Sequence, residues 1–280
     1  MTPLNPKAFK QLHYDPGFLG SADRAELLEY LGALHPLWEN RFPDARPVPE
    51  GQTQRRLLRP VYWLGNWQFA CLDYYRPPKG IHNRCVQAEP FPPVLARLIS
   101  RMEKKAHRMF RGEDMPAGWH LNTCLVNLYG RARSGDTWVD VARVGEHKDF
   151  EPGPVASLSL GERALFQFVQ SRRPGERDGV VSQQWLEDCS LQIFGGELWK
   201  RRTFHRVQRV DRREGHCFEL PVPDFETRRL NLTFRYVPDE DVVPYSALEP
   251  RARQDVAGYV QTLAESSPFF ARAWTEAQRP

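Results

Sequence analysis

From Thr123 to about Val237 the chain is cut into short β-rich runs: TCLVNLYG, VASLSLG, ALFQFVQS, SLQIFGG, FHRVQRV, HCFELPV and RRLNLTFRYV. Clusters of Gly, Pro, Asp or Arg separate them, and that rhythm restricts the segment to antiparallel strands in a sandwich or barrel. Upstream, SADRAELLEYLGALHPLW (21–38) carries Leu27, Leu28, Leu31 and Leu34 on one face and predicts a helix with Ser21 as its N-cap. The spacing of Val94, Leu95, Leu98, Ile99 and Met102 predicts a second helix over 93–110, and a last one is expected over 250–264. The expected class is α+β with a mainly β core, in one domain without a long linker. Residues 1–119 form a helical, aromatic-rich extension, 120–238 the β core and 239–280 a helical tail.

Composition removes several alternatives. The five cysteines (Cys71, Cys85, Cys124, Cys189, Cys217) are scattered, with no CxxC pair. That argues against a disulfide framework or a zinc knuckle and fits a reducing, cytoplasmic setting. No run of 18 apolar residues occurs, so no membrane span is expected. The N-terminus lacks the apolar stretch of a signal peptide. The charge is +4, and Arg greatly outnumbers Lys. Guanidinium forks suit an anionic partner, although genome base composition produces the same bias.

Residues 145–151 read GEHKDFE. On a strand, residues i and i+2 share a face, so His147 and Asp149 can reach one ion. FHRV offers His205 as a third ligand from another strand. Two imidazoles and one carboxylate make the facial triad of non-haem Fe(II) sites, which keeps positions open for substrate and dioxygen. A solvated strand end is the ordinary alternative for H-x-D, and zinc is the rival metal, though no HExxH motif accompanies it. In RRLNLTFR (228–235), Arg229, Asn231, Thr233 and Arg235 share one face while Leu230, Leu232 and Phe234 share the other. The first face is a poor core but a good cradle for a small dianion, provided each carboxylate meets paired donors. An exposed edge-strand face would read the same way.

Taken in order, the chain presents N-x-Y, H-x-D, a distant His and R-x-N-L-T-F-R. This arrangement resembles the AlkB family of Fe(II)- and 2-oxoglutarate-dependent dioxygenases over roughly residues 122–237. The resemblance implies a double-stranded β-helix (jelly roll) with Fe(II) held by His147, Asp149 and His205. It implies 2-oxoglutarate held by Asn127, Tyr129, Arg229, Asn231 and Arg235, with Thr233 in a less defined role, and dioxygen as the oxidant. Which Arg meets which carboxylate stays open. The implied reaction is oxidative dealkylation of N-alkylated bases in DNA or RNA, as repair or demethylation. The alternative is the same chemistry on a protein side chain or small molecule.

On the substrate side the resemblance places Glu151 near the exocyclic group of a flipped base. An aromatic from VYWLGNWQFACLDYYRPP is expected to stack on that base, with Trp63, Trp67, Tyr74 and Tyr75 as candidates, and a core stripe is the ordinary alternative for such a run. The segment GRARSGDTWVDVARVGE reads as a long loop, a lid or nucleic-acid contact. Lys200, Arg201, Arg202, Arg206 and Arg209, with QSRRPGER (170–177), would track a phosphate backbone. A monomer acting on alkylated nucleic acid is expected.

Overall fold

The strands expected from the punctuated segment build a jelly roll in a computed structural model that describes residues 10–40, 48, 50–51, 53, 56–57, 59–68, 85–141, 143–170, 179–208 and 217–279. In chain order the strands are β1 (Leu12–Asp15), β2 (Val61–Leu64), β3 (Asn66–Trp67), β4 (Cys85–Gln87), β5 (Thr123–Ser134), β6 (Thr137–Asp140) and β7 (Val144–His147). They continue with β8 (Val155–Gly161), β9 (Ala164–Val169), β10 (Val180–Leu186), β11 (Ser190–Phe194), β12 (Phe204–Gln208), β13 (Phe225–Arg235) and β14 (Val242–Val243). Among the described residues the larger sheet runs β1-β11-β8-β13-β5-β2, with β6 on the outer part of β5. A smaller sheet runs β10-β9-β12-β7, and β14, β4 and β3 form a short third one.

Period-two alternation gives the larger sheet two different faces. Leu230, Leu232 and Phe234 of β13, with Ala156, Leu158 and Leu160 of β8, enter the main core. Helices Ser21–Gly32 and Pro93–Met109 supply Leu27, Leu31, Leu95, Leu98 and Met102 to the same core. The opposite face carries the polar row that begins at Arg229. A bulge sets the phase of that row. Thr227 pairs with Gly130 and Arg229 with Tyr129, leaving Arg228 as the extra residue. Thr227 and Arg229 therefore face opposite sides although two apart in sequence. Gly130 is required opposite this irregularity, because a Cβ there would lie 1.8 Å from the Glu226 carbonyl oxygen.

Several sequence expectations need correction. The first helix stops at Gly32 rather than 38, short of Pro36, and Ser21 is its first residue instead of its cap. HCFELPV, interrupted by Pro221 and followed by Pro223, contributes among the described residues only the Phe218–Thr227 bridge. Strands β1, β2, β3, β4, β10 and β14 and a helix at Pro268–Ala277 go beyond the elements expected from pattern. That helix does carry a start signal, since Ser267 Oγ accepts the Phe270 N–H and Pro268 follows it. The segment read as a loop after Tyr129 is a β-hairpin, with Ser134 paired to Thr137. Gly135 takes φ +59 at the first central position of its two-residue turn, as a hairpin turn of this length requires.

The extension 1–119 is anchored by a buried acid. Glu39 Oε1 accepts N–H bonds from the indoles of Trp63 (2.9 Å) and Trp67 (3.0 Å). Burial pushes the Glu39 carboxyl up to about 7, against the pull of both indoles and of Arg59. The folded value thus exceeds the ordinary 4.5. The native state binds the extra proton between those values, so this contribution is full below about 4.5 and is lost as pH rises through 7. Its span is at most about 3 kcal/mol. Glu39→Gln, which keeps an oxygen for both indoles, is expected to flatten the decline in stability between pH 5 and 8. Urea unfolding at several pH values measures this, and parallel curves for the two proteins would refute it.

Candidate metal centre

Strand pairing brings the three candidate ligands together. β12 lies antiparallel to β7 with His205 directly opposite His147. The two imidazole centroids are 4.2 Å apart. Asp149 is buried beyond the end of β7. One ligand atom from each of His147, Asp149 and His205 falls within 4.8 Å of the others.

The surrounding groups fix the state of each ligand. His147 Nδ1 donates to the Gly145 carbonyl at 2.8 Å, which leaves the Nε2 lone pair for an ion. Arg235 donates to Asp149 Oδ1 from Nε at 2.9 Å and approaches it with a terminal nitrogen at 2.8 Å. The other oxygen, Oδ2, has no hydrogen-bond partner among the described residues and lies 3.4 Å from His205 Nε2. Burial alone would raise the Asp149 carboxyl; Arg235, with the two imidazoles, holds it well below the usual carboxylate range. Desolvation lowers both imidazoles, His205 to about 3. Phe166 stacks on the His205 ring at 5.4 Å, and Phe194 meets it edge-on at 5.3 Å. Neutral imidazoles, an ionised carboxylate and an uncommitted buried oxygen are the donor set a divalent cation needs. The residues fit Fe(II).

Beside the triad, one pocket collects Asn127, Tyr129, Arg229, Asn231, Thr233 and Arg235. Asn127 and Asn231 are register partners on adjacent strands. Arg229 is 2% exposed, donates to Ser159 Oγ at 2.9 Å and lies 5.0 Å from the Tyr129 ring centre. Asn231 gives its amide hydrogens to Ser157 Oγ (2.8 Å) and the Leu158 carbonyl (3.1 Å), and its oxygen accepts from Thr233 (2.8 Å). Asn231 therefore braces the wall with the groups expected to hold cosubstrate. Lys200 pins the metal-ligand loop by donating to the carbonyls of Glu151 and of Gly153, the latter at 2.9 Å. It comes from the π-helical turn Glu197–Arg202, just before His205.

On the substrate side the expectations divide. Glu151 is buried in the same pocket, with Oε1 3.5 Å from Arg235 Nε and Oε2 without a hydrogen-bond partner among the described residues. Trp63 and Trp67 are instead core residues, 4% and 1% exposed, tied to Glu39 outside this pocket. Their indoles have an internal acceptor, which a count of aromatics does not reveal. Tyr74, Tyr75, Arg209 and residues 171–177 lie outside the described residues. Phe150, 37% exposed, is an exposed aromatic that the structure places at the pocket; its place between Asp149 and Glu151 is the signal that could have found it. Arg201 and Arg202 pair with Glu197, and Arg206 with Glu146 at 2.8 Å, so these basic side chains already have carboxylate neighbours.

The pattern of the 2OG-Fe(II) oxygenase superfamily matches residues 11–235. The DNA N(6)-methyladenine demethylase ALKBH1D of Arabidopsis thaliana is 31% identical over 201 residues, 64% of this chain and 42% of that protein. The chain thus spans about two fifths of that relative's length. The structure of OsALKBH1 aligns with 84% of this chain and 100% of its own, at 21% identity and a TM-score of 0.47. YcfD, a ribosomal oxygenase from Escherichia coli in complex with cobalt and succinic acid, aligns with 64% of this chain and 46% of its own, at 9% identity and a TM-score of 0.27.

Proposed function

The chain belongs to the 2OG-Fe(II) oxygenase superfamily and is AlkB-like; on that premise we propose that it oxidatively removes N-alkyl groups from bases in nucleic acid. The relative named as a DNA N(6)-methyladenine demethylase supports the substrate class. Within this chain, the observation that carries the reading is Glu151. Glu151 lines the triad's pocket and has a buried carboxylate oxygen without a hydrogen-bond partner among the described residues, and an exocyclic amine is a donor that would satisfy it.

When bound, Fe(II) and 2-oxoglutarate supply dioxygen activation: the keto acid leaves as succinate and CO2, and the N-alkyl carbon is hydroxylated and lost as aldehyde. The protein's part is orientation and exclusion of water. Arg235 commits Asp149 Oδ1, so Oδ2 is the oxygen that would be left to hold the ion. With Arg235 engaged by Asp149 and Glu151, Arg229 is the guanidinium assigned to the far carboxylate of the cosubstrate. Phe166 and Phe194 keep the His205 side dry, and Phe150 offers the target base an apolar face at the mouth.

The test is formaldehyde release with Fe(II) and 2-oxoglutarate over N6-methyladenine DNA, methylated RNA and unmodified controls. Formaldehyde and succinate in equal amounts from a methylated oligonucleotide are expected. Succinate formation with no formaldehyde from any oligonucleotide would overturn the nucleic-acid reading and favour a protein or small-molecule substrate.

A further inference from the structure

Arg59 lies outside the barrel motifs, in the segment that leads into β2. Its place is fixed by backbone pairing. Val61 is the register partner of Asn127, and the Leu128 N–H donates to the Pro60 carbonyl at 3.1 Å. The side chain enters the cosubstrate pocket, where Nε–H donates to Asn127 Oδ1 at 2.6 Å and the guanidinium lies 5.7 Å from the Tyr129 ring centre.

A guanidinium has five donors and no acceptor. The Asn127 group facing Arg59 must therefore be its carbonyl oxygen, and the NH2 must point the other way. There its contact is a long 3.4 Å approach to the Leu125 carbonyl, which occupies at most one of its two hydrogens. Without Arg59 only that long contact opposes turning the amide over, which would present its oxygen to the pocket. An oxygen there would repel a carboxylate, whereas an NH2 donates to one.

We propose that Arg59 is a positioning residue that locks the Asn127 amide with its NH2 toward the carboxylate of 2-oxoglutarate. The inference rests on the dioxygenase reading above. Among the described residues Arg59 is within ion-pair distance of no carboxylate, so its hydrogen bond to Asn127 is not a by-product of another pairing.

The experiment is a double-mutant cycle read by calorimetric binding of 2-oxoglutarate to the full chain loaded with Mn(II) under anaerobic conditions, with steady-state constants of the Fe(II) enzyme alongside. Arg59→Met is expected to weaken 2-oxoglutarate about 10- to 100-fold, the size of one hydrogen bond to a charged group. The KM for 2-oxoglutarate should rise with it, while kcat at saturation and the KM for oligonucleotide stay within about 2-fold. Arg59→Lys, which keeps a donor, should recover part of the loss and serves in the cycle if the Met variant does not fold. In an Asn127→Ala background either substitution should add less than about 2-fold, because the group it positions is gone. Equal losses in both backgrounds, unchanged 2-oxoglutarate affinity, or a change confined to the oligonucleotide KM would overturn the proposal. A wild-type chain that binds no 2-oxoglutarate would remove the dioxygenase reading together with it; a wild-type chain that binds, with an indifferent Arg59→Met, removes only the inference.

Discussion

Asp149→Asn is expected to abolish turnover and to lower Fe(II) affinity by at least about 10³-fold, while the protein stays folded. The magnitude corresponds to about 4 kcal/mol, within the range for breaking a buried charged contact. The substitution is nearly isosteric, so the reason is not lost volume. Arg235 has only donors to offer, and it approaches Oδ1 through two nitrogens at 2.9 and 2.8 Å. The amide of Asn must therefore turn its oxygen to Arg235, and its NH2 then occupies the place of Oδ2. An amide nitrogen has no lone pair to give a cation. Anaerobic Fe(II) titration and circular dichroism, measured on the same samples, check this. If the Asp149→Asn protein is folded and still takes up one equivalent of iron, the assignment of Oδ2 is contradicted.

Arg229→Met is expected to raise the KM and the dissociation constant for 2-oxoglutarate by about 10²- to 10³-fold, as expected from the loss of one partner of a buried ion pair. Arg229 is almost fully buried, steadied by Ser159 Oγ and set against the Tyr129 ring. Methionine keeps the apolar stem and removes the charge. Because the far carboxylate does not react, the contact stabilises ground state and transition state alike, so kcat at saturating 2-oxoglutarate should change only a few-fold. Arg229→Lys should recover only part of the affinity, since an ammonium cannot form the two parallel bonds of a guanidinium. A tenfold loss of kcat with an unchanged KM would assign Arg229 to the chemistry instead.

Much of the barrel is legible from local pattern. Leu230, Leu232 and Phe234 against Arg229, Asn231, Thr233 and Arg235 is an alternation that a strand can read only one way. The helices at Pro93–Met109 and Pro250–Ala264 also follow from spacing. The misses have local causes. Strand β10, VVSQQWL, is a half-exposed edge whose polar residues hide the alternation. The hairpin after Tyr129 is masked by charges, although its Gly135-Asp136 turn is present in the sequence. Trp63 and Trp67 read as stacking candidates because an exposed aromatic and a buried one have the same spelling.

By itself, the sequence determined which residue types stand at two-residue spacing: an imidazole that ends one strand with a carboxylate just past it, and two guanidiniums with an amide between them on another. Alternation is a property of the backbone, so it can be read without knowing any partner. Only the tertiary structure decided which side chains meet. It set His205 opposite His147, shifted the phase of β13 at Arg228, turned Trp63 and Trp67 toward Glu39 and brought Arg59 to Asn127. Each of these depends on strand register and on a donor finding an acceptor far away in the chain, and neither is encoded in any short window of residues.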